Sequence, residues 1–354
     1  MIDVGTIPAF GLNKDDKRNY MLGNMNYLTQ FHIKKCSEYN TLMDKFGHIK
    51  QTYKEVSDVP FIPVRIFKHT NLLSVPKKDI VKTMTSSGTA GQGVSQIFLD
   101  GDTSSLQVKV LSKIMSDFIG TKRLPMLVID SKSIISNREK LSARTAGVLG
   151  FSMFGRDVEF ALDDDMSMNF DRVDRFINKH NFDDIFIFGF TSIIWEHFVI
   201  ALEQLGKHLS IPRGILFHGG GWKKLENQSV DNSEFINRIS DVSNVMNIHN
   251  YYGMIEQTGS IFVECKYGFL HASSFSDVII RSHQTHAAEE IGITGLIQLL
   301  SVIPKSYPGH SILTEDLGTI YGIDDCKCER KGKYFKVHGR IKSAEIRGCS
   351  DTYS

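Results

Sequence analysis

The stretch Ile185-Phe-Ile-Phe-Gly-Phe-Thr-Ser-Ile-Ile-Trp195 decides how this chain is read. Its first six residues form a short, uninterrupted apolar run, the signature of a strand buried on both faces. A helical pattern over 192–205, with Ile194, Phe198, Ala201 and Leu205 on one side, follows directly. Similar apolar runs at 126–129, 214–217 and 245–248 end near Gly, Asp, Ser or His, and 233–239 supplies another helical stretch. Strands alternating with helices predict an α/β fold with a largely parallel sheet. Upstream, 14–50 is polar with Tyr20, Met21, Met25, Leu28 and Phe31 at helical spacing, and Pro60 and Pro63 interrupt the pattern. Beyond 260 the runs at 260–263, 277–281, 296–302 and 334–337 read as strands. The expected organisation is a helical region over 1–80, an α/β core over 81–260 and a β-rich subdomain with a tail over 261–354.

The composition narrows the function. In 354 residues, 41 Lys and Arg stand against 40 Asp and Glu, a net charge of +1 that gives no footing for nucleic-acid or anionic-membrane binding. With 41% hydrophobic and 23% charged residues the chain has enough apolar material for a real core. Five scattered cysteines do not make a disulfide framework. The N-terminal Met-Ile-Asp-Val-Gly lacks a secretory pattern, and 185–195 is too short to span a bilayer, so a cytoplasmic protein is expected.

The densest chemical signal is Thr83-Met-Thr-Ser-Ser-Gly-Thr-Ala-Gly-Gln-Gly93, with five hydroxyl side chains and three glycines. Glycines let backbone N–H groups close on an anion, and hydroxyls add donors, so the loop suits a polyphosphate. It has neither the Lys of a Walker A loop nor the glycine spacing of a dinucleotide fingerprint. Three further segments follow: Asn250-Tyr-Tyr-Gly-Met-Ile-Glu256, Leu313-Thr-Glu-Asp-Leu-Gly318 with Asp316 expected in a turn, and Val337-His-Gly-Arg-Ile-Lys342.

Taken in this order, the four segments resemble the adenylate-forming superfamily, which makes acyl-AMP from a carboxylate and ATP. The resemblance covers 83–349. Members of that superfamily commonly continue for about a hundred residues beyond Gly-Arg-x-Lys into a mobile C-terminal domain. Here only 343–354 follows, with Cys349 near the end, and this pattern resembles the acyl-protein synthetase (LuxE-like) family. The fold implied is the α/β large domain of adenylate-forming enzymes with a β-rich C-terminal subdomain, lacking the mobile domain.

The resemblance also implies roles. Thr85, Ser86, Ser87, Gly88, Thr89 and Gly91 would hold the β- and γ-phosphates of ATP, and Tyr252 would stack on adenine. Glu256 would coordinate Mg²⁺, Asp316 would bind the ribose hydroxyls, and Arg340 would contact the ribose or the α-phosphate. His218, Gly219, Gly220 and Gly221 would line the acyl pocket, while Cys349, with Arg347 beside it, would take the acyl group as a thioester. Ile255 stands where the superfamily usually has Thr, and no Lys occurs in 92–96. The expected substrates are a fatty or related carboxylic acid and ATP, and the expected partner is an acyl reductase or acyl-carrier protein.

Other features carry less. His218-Gly-Gly-Gly also occurs in lipase oxyanion loops, but no Gly-x-Ser-x-Gly elbow accompanies it. Cys326-Lys-Cys328, taken with His338, is a zinc-like arm without a second spaced pair. The acidic groups at 163–165 and 324–325 read as solvated turn charges. Two alternatives stay open: a ligase delivering the acyl group to coenzyme A, of the phenylacetate–CoA ligase type, and a non-catalytic subunit that supports a reductase.

Overall fold

The structure, a computed structural model, describes residues 4–49, 51–86, 94–135, 143–222, 225, 227 and 229–341. In chain order its strands are β1 (Ile62–Pro63), β2 (Ile80–Thr85), β3 (Gln96–Asp100), β4 (Leu124–Ser131), β5 (Gly155–Leu162), β6 (Ile185–Phe190) and β7 (Gly214–Gly219). They continue as β8 (Asn247–Tyr252), β9 (Phe262–Glu264), β10 (Leu270–His271), β11 (Ser276–Arg281), β12 (Thr294–Ser301), β13 (Ser311–Ile323) and β14 (Lys333–Arg340). The chain divides into two compact units that interleave in sequence. One draws its described residues from 4–86, 94–118 and 253–341, and the other from 119–252.

The unit containing β4–β8 is the α/β part. Its strands run parallel in the order β5-β4-β6-β7-β8. Every residue of β6 is buried, as expected for a central parallel strand covered on both faces. The segment after it, 191–204, is helical but not uniformly α: Trp195–Ile200 widens into a π-helix between two short α segments. The helix Asn232–Ser243 starts at Asp231, whose carboxylate accepts from the Glu234 N–H, and ends at left-handed Asn244. The apolar run seen at 245–248 turns out to be the lead-in to β8, which extends to Tyr252.

The other unit is built on antiparallel pairing in the order β11-β12-β13-β14-β10-β9, with β1 parallel to β13. The helix Lys14–Lys35 belongs to it. Asn13 caps this helix by accepting from the N–H groups of Asp15 and Asp16, and Asp15 and Asp16 complement the dipole. Met21, Met25 and Leu28 form its buried stripe as the spacing predicts, whereas Tyr20 and Phe31 are only half-buried. A separate hairpin pairs β2 with β3.

The turn expected at Asp316 does not exist. That residue lies inside the 13-residue strand β13, where its neighbours alternate with the pleat and pair on both sides. Its own N–H is satisfied by the Thr314 hydroxyl at 3.1 Å. The acids at 324–325 are also more engaged than expected. Asp324 accepts from the Lys14 N–H at 2.7 Å and from the Gly332 N–H at 2.6 Å, so it pins the β13–β14 turn at both ends.

Candidate active site

Asp316 and Arg340, separated by 24 positions, are cross-strand partners of β13 and β14. Opposed residues of an antiparallel pair project to the same face, and here Arg340 Nε donates to Asp316 Oδ1 at 3.3 Å. Just before Arg340, Gly339 has φ +108°, a left-handed conformation that suits glycine, and the register slips against Leu317 and Gly318. This bulge sets the face on which Arg340 emerges. Asp316 is buried and the Arg340 side chain about a third exposed, so an acidic acceptor is held in place by a cation that still reaches solvent.

Glu256, in the same unit, sits in the short helical turn Ile255–Gln257 and is 4% exposed. Three side chains or backbone features outside the motif clamp this turn. The Tyr307 hydroxyl donates to the Glu256 carbonyl at 3.0 Å, and the Gln257 amide donates to Leu299 O at 3.0 Å and Gly309 O at 2.8 Å. A Cβ on Gly309 would stand 2.8 Å from that same Glu256 carbonyl, so glycine is needed for the close approach. Gln257, Tyr307 and Gly309 gave no local signal in the sequence, because their role is defined only by a contact about fifty residues away.

Thr85 closes β2 opposite Gln96, and the chain then turns through Ser86. The Ser86 N–H donates to Ser95 O and the Ser95 N–H donates to the Ser86 hydroxyl, both at 2.9 Å. Ser86 therefore serves to tie the two stems of the loop, its hydroxyl acting there as an acceptor. Ser87, Gly88, Thr89, Gly91 and Cys349 lie outside the described residues.

The α/β unit gathers His218, Gly219, Gly220, Gly221 and Tyr252 at the carboxyl ends of β7 and β8, the edge where open parallel sheets bind ligands. His218 is 2% exposed. The Thr191 hydroxyl donates to Gly219 O at 3.2 Å and lies 3.0 Å from His218 Nδ1. The ring is fixed on its Nδ1 side, while Nε2 is buried and has no hydrogen-bond partner among the described residues. Burial, with His249 adding to it, pushes the His218 pKa down to about 3, so the ring is neutral at physiological pH and suits acceptance better than base catalysis. A Cβ on Gly219 would lie 2.6 Å from the Tyr251 ring, and Gly220 has φ +83° beside Phe190. Gly221 meets nothing within 4 Å. The glycines thus admit an aromatic ring at one position and leave open space at another.

One feature of this edge had no counterpart in the motifs. Asp130 near the end of β4 and Arg144 in the helix Ala143–Ser152 are each 1% exposed and form a forked ion pair, with Arg144 Nε donating to Oδ2 at 2.8 Å. The Ser131 hydroxyl donates to Asp164 at 2.6 Å, so one of the expected solvated acids is in fact hydrogen-bonded here.

The fold is that of adenylate-forming ligases. The chain superposes on an open conformation of 2-hydroxyisobutyryl-CoA ligase, solved with 2-HIB-AMP and CoA, with a TM-score of 0.73 at 15% identity, covering 97% of this chain and 81% of that one. The chain belongs to the family described as acyl-protein synthetase, LuxE, whose match spans residues 6–354. It is similar to the long-chain-fatty-acid–luciferin-component ligase of Aliivibrio fischeri, at 23% identity over 341 residues, covering 90% of this chain and 84% of that protein. The ligase of the same description from Vibrio harveyi is 22% identical over 377 residues, covering 99% and 91%. Among the described residues, no helix is long and apolar enough to cross a membrane.

Proposed function

We propose that this protein activates a fatty or related carboxylic acid with ATP, forming acyl-AMP and pyrophosphate, and then transfers the acyl group to its own Cys349 as a thioester. The pairing of Asp316 with Arg340 carries this reading, since it joins two separated motif residues into one acceptor–cation unit of the kind a ribose and its phosphate require. The carboxylate oxygen of the acid attacks the α-phosphorus, and pyrophosphate leaves. Arg340 would offset charge on that phosphate, and Asp316 would accept from the ribose hydroxyls. Tyr252 would lie against adenine, and Thr85, Ser86, Ser87, Gly88, Thr89 and Gly91 would enclose the β- and γ-phosphates. The buried carboxylate of Glu256, on a turn clamped by Tyr307 and Gln257, fits a hard cation. Mg²⁺ held there would supply neutralisation of the phosphate charge.

In the second half-reaction the Cys349 thiolate attacks the acyl carbonyl, the C–O bond to phosphate breaks, and AMP departs. His218, Gly219, Gly220 and Gly221 would border the acyl chain. A reductase or carrier protein would accept the thioester in a cytoplasmic setting.

The test uses the purified full chain with labelled fatty acid, ATP and Mg²⁺. Label on the protein that neutral hydroxylamine releases, and that Cys349→Ser abolishes while pyrophosphate exchange persists, is the expected result. AMP release that depends on added coenzyme A and outruns self-acylation would move the acceptor to coenzyme A. Absence of pyrophosphate exchange across a panel of acids would leave a non-catalytic subunit.

A further inference from the structure

Two turns of the antiparallel unit meet at a cluster that the adenylation chemistry does not use. Cys265 follows β9, His271 ends β10, and Cys326 and Cys328 sit in the turn between β13 and β14. One ligand-capable atom from each of the four lies within 4.8 Å of all the others. Cys265 Sγ is 3.9 Å from Cys326 Sγ, and Cys328 Sγ is 3.2 Å from His271 Nε2. Tetrahedral zinc with Zn–S bonds of about 2.3 Å and Zn–N bonds of about 2.0–2.1 Å gives sulfur–sulfur edges of about 3.7 Å and sulfur–nitrogen edges of about 3.5 Å, each within a few tenths of an ångström of the separation it matches. A disulfide would need the two sulfurs about 2.05 Å apart. His338, the histidine nearest in sequence to the Cys-x-Cys arm, is elsewhere, with its Nε2 2.8 Å from the Thr319 hydroxyl.

The surroundings suit a closed, structural centre. Cys265, His271 and Cys326 are buried and Cys328 is half-buried, so no face is open for a substrate. Both loops are held independently. The Cys265 N–H donates to Phe269 O, and His271 pairs with Tyr334 across β10 and β14. Asp324 fixes the other loop through the Gly332 N–H.

We propose that Cys265, His271, Cys326 and Cys328 bind one structural Zn²⁺ that staples the β9–β10 turn to the β13–β14 turn. Four protein ligands leave no open coordination position, so the metal's role is to hold the hairpin whose second strand ends in Arg340. The inference stands on the cluster alone and does not depend on the acyl-transfer reading.

The experiment takes the full chain, expressed with zinc and purified under reducing conditions without chelator. Elemental analysis should return one zinc per chain. Replacement by cobalt should produce visible tetrahedral bands with thiolate-to-cobalt charge transfer. Cys265→Ser and Cys328→Ser should each bring the zinc content of the purified protein close to zero. Cys328→His should retain the metal with a shifted cobalt spectrum, a control for folding. A wild-type chain without zinc that gives no tetrahedral cobalt spectrum overturns the proposal. So does unchanged zinc content in both serine variants, or a Cys265–Cys326 disulfide mapped in freshly purified protein.

Discussion

Arg340 reaches across from β14 to the Asp316 carboxylate on β13, with 3.3 Å between Nε and Oδ1, and the Gly339 bulge sets the face on which it does so. Because the guanidinium is a third exposed, this ion pair contributes no more than about 1 kcal/mol to folding. On the proposed reading, its value lies in ligand binding. Arg340→Ala and Asp316→Asn should each raise the KM for ATP by about 10- to 100-fold, the loss of one charge-assisted contact. The urea midpoint should barely move. Pyrophosphate-exchange kinetics beside a urea titration check this, and an unchanged KM in both variants would refute the assignment.

Tyr307→Phe removes the hydroxyl that satisfies the Glu256 carbonyl and changes little else in shape. Losing one buried hydrogen bond costs about 0.5–1.5 kcal/mol. The variant should unfold at lower urea and show a weakened response to Mg²⁺. Equal stability in the two proteins would show that the clamp does not hold the turn.

Gly219→Ala would force a Cβ to within 2.6 Å of the Tyr251 ring, at the end of β7. Overpacking of this kind costs about 1–3 kcal/mol. Combining it with Tyr251→Leu should recover part of the loss. A double-mutant cycle by chemical denaturation reads the coupling, and strictly additive effects would contradict the contact.

The Arg144–Asp130 pair is almost fully buried at both ends. Asp130→Asn or Arg144→Met alone should destabilise by about 3–5 kcal/mol, because each breaks a buried ion pair from one side. Replacing both with apolar residues of similar volume should be much milder. If the single variants melt like the wild type, the pair is not sealed from solvent.

Acid stability should break early, in the histidine range. Burial drives the pKa of His32 and of His218 down to about 3, and burial with His32 beside it also lowers that of His310. A histidine kept neutral in the folded state takes up its proton only on unfolding, so its stabilising contribution is intact above the unfolded value near 6.5 and is lost as pH falls below it. Each such group removes up to about 1.4 kcal/mol per pH unit in that window. Urea midpoints should fall steadily from pH 6.5 to 5. A flat profile over that range would mean that these rings ionise within the fold.

The parallel sheet was legible in the chain because its signal is local. A run such as 185–190, apolar at every position, can satisfy itself only between two covering layers. The same holds for Met21, Met25 and Leu28, whose spacing alone defines a buried stripe. Asp316 was misread as a turn residue because a Thr-Glu-Asp sequence has turn-like composition, and only pairing with β12 and β14 overrides it. The Asp324 caps and the Tyr307 clamp escaped for a related reason: each joins groups from distant parts of the chain.

What this sequence determined unaided was the order of its motifs and the layering of its α/β part, both properties of neighbouring residues. Tertiary structure alone decided which charges meet. Nothing in the residues around 271 points to Cys265 joining Cys326, 61 positions away, instead of His338 joining Cys328. That choice belongs to strand order, since β10 lies beside β14 and brings His271 to the turn that carries both later cysteines. Hydrophobic period sets which face of a strand is buried, whereas the pairing of whole strands sets which polar side chains share that burial.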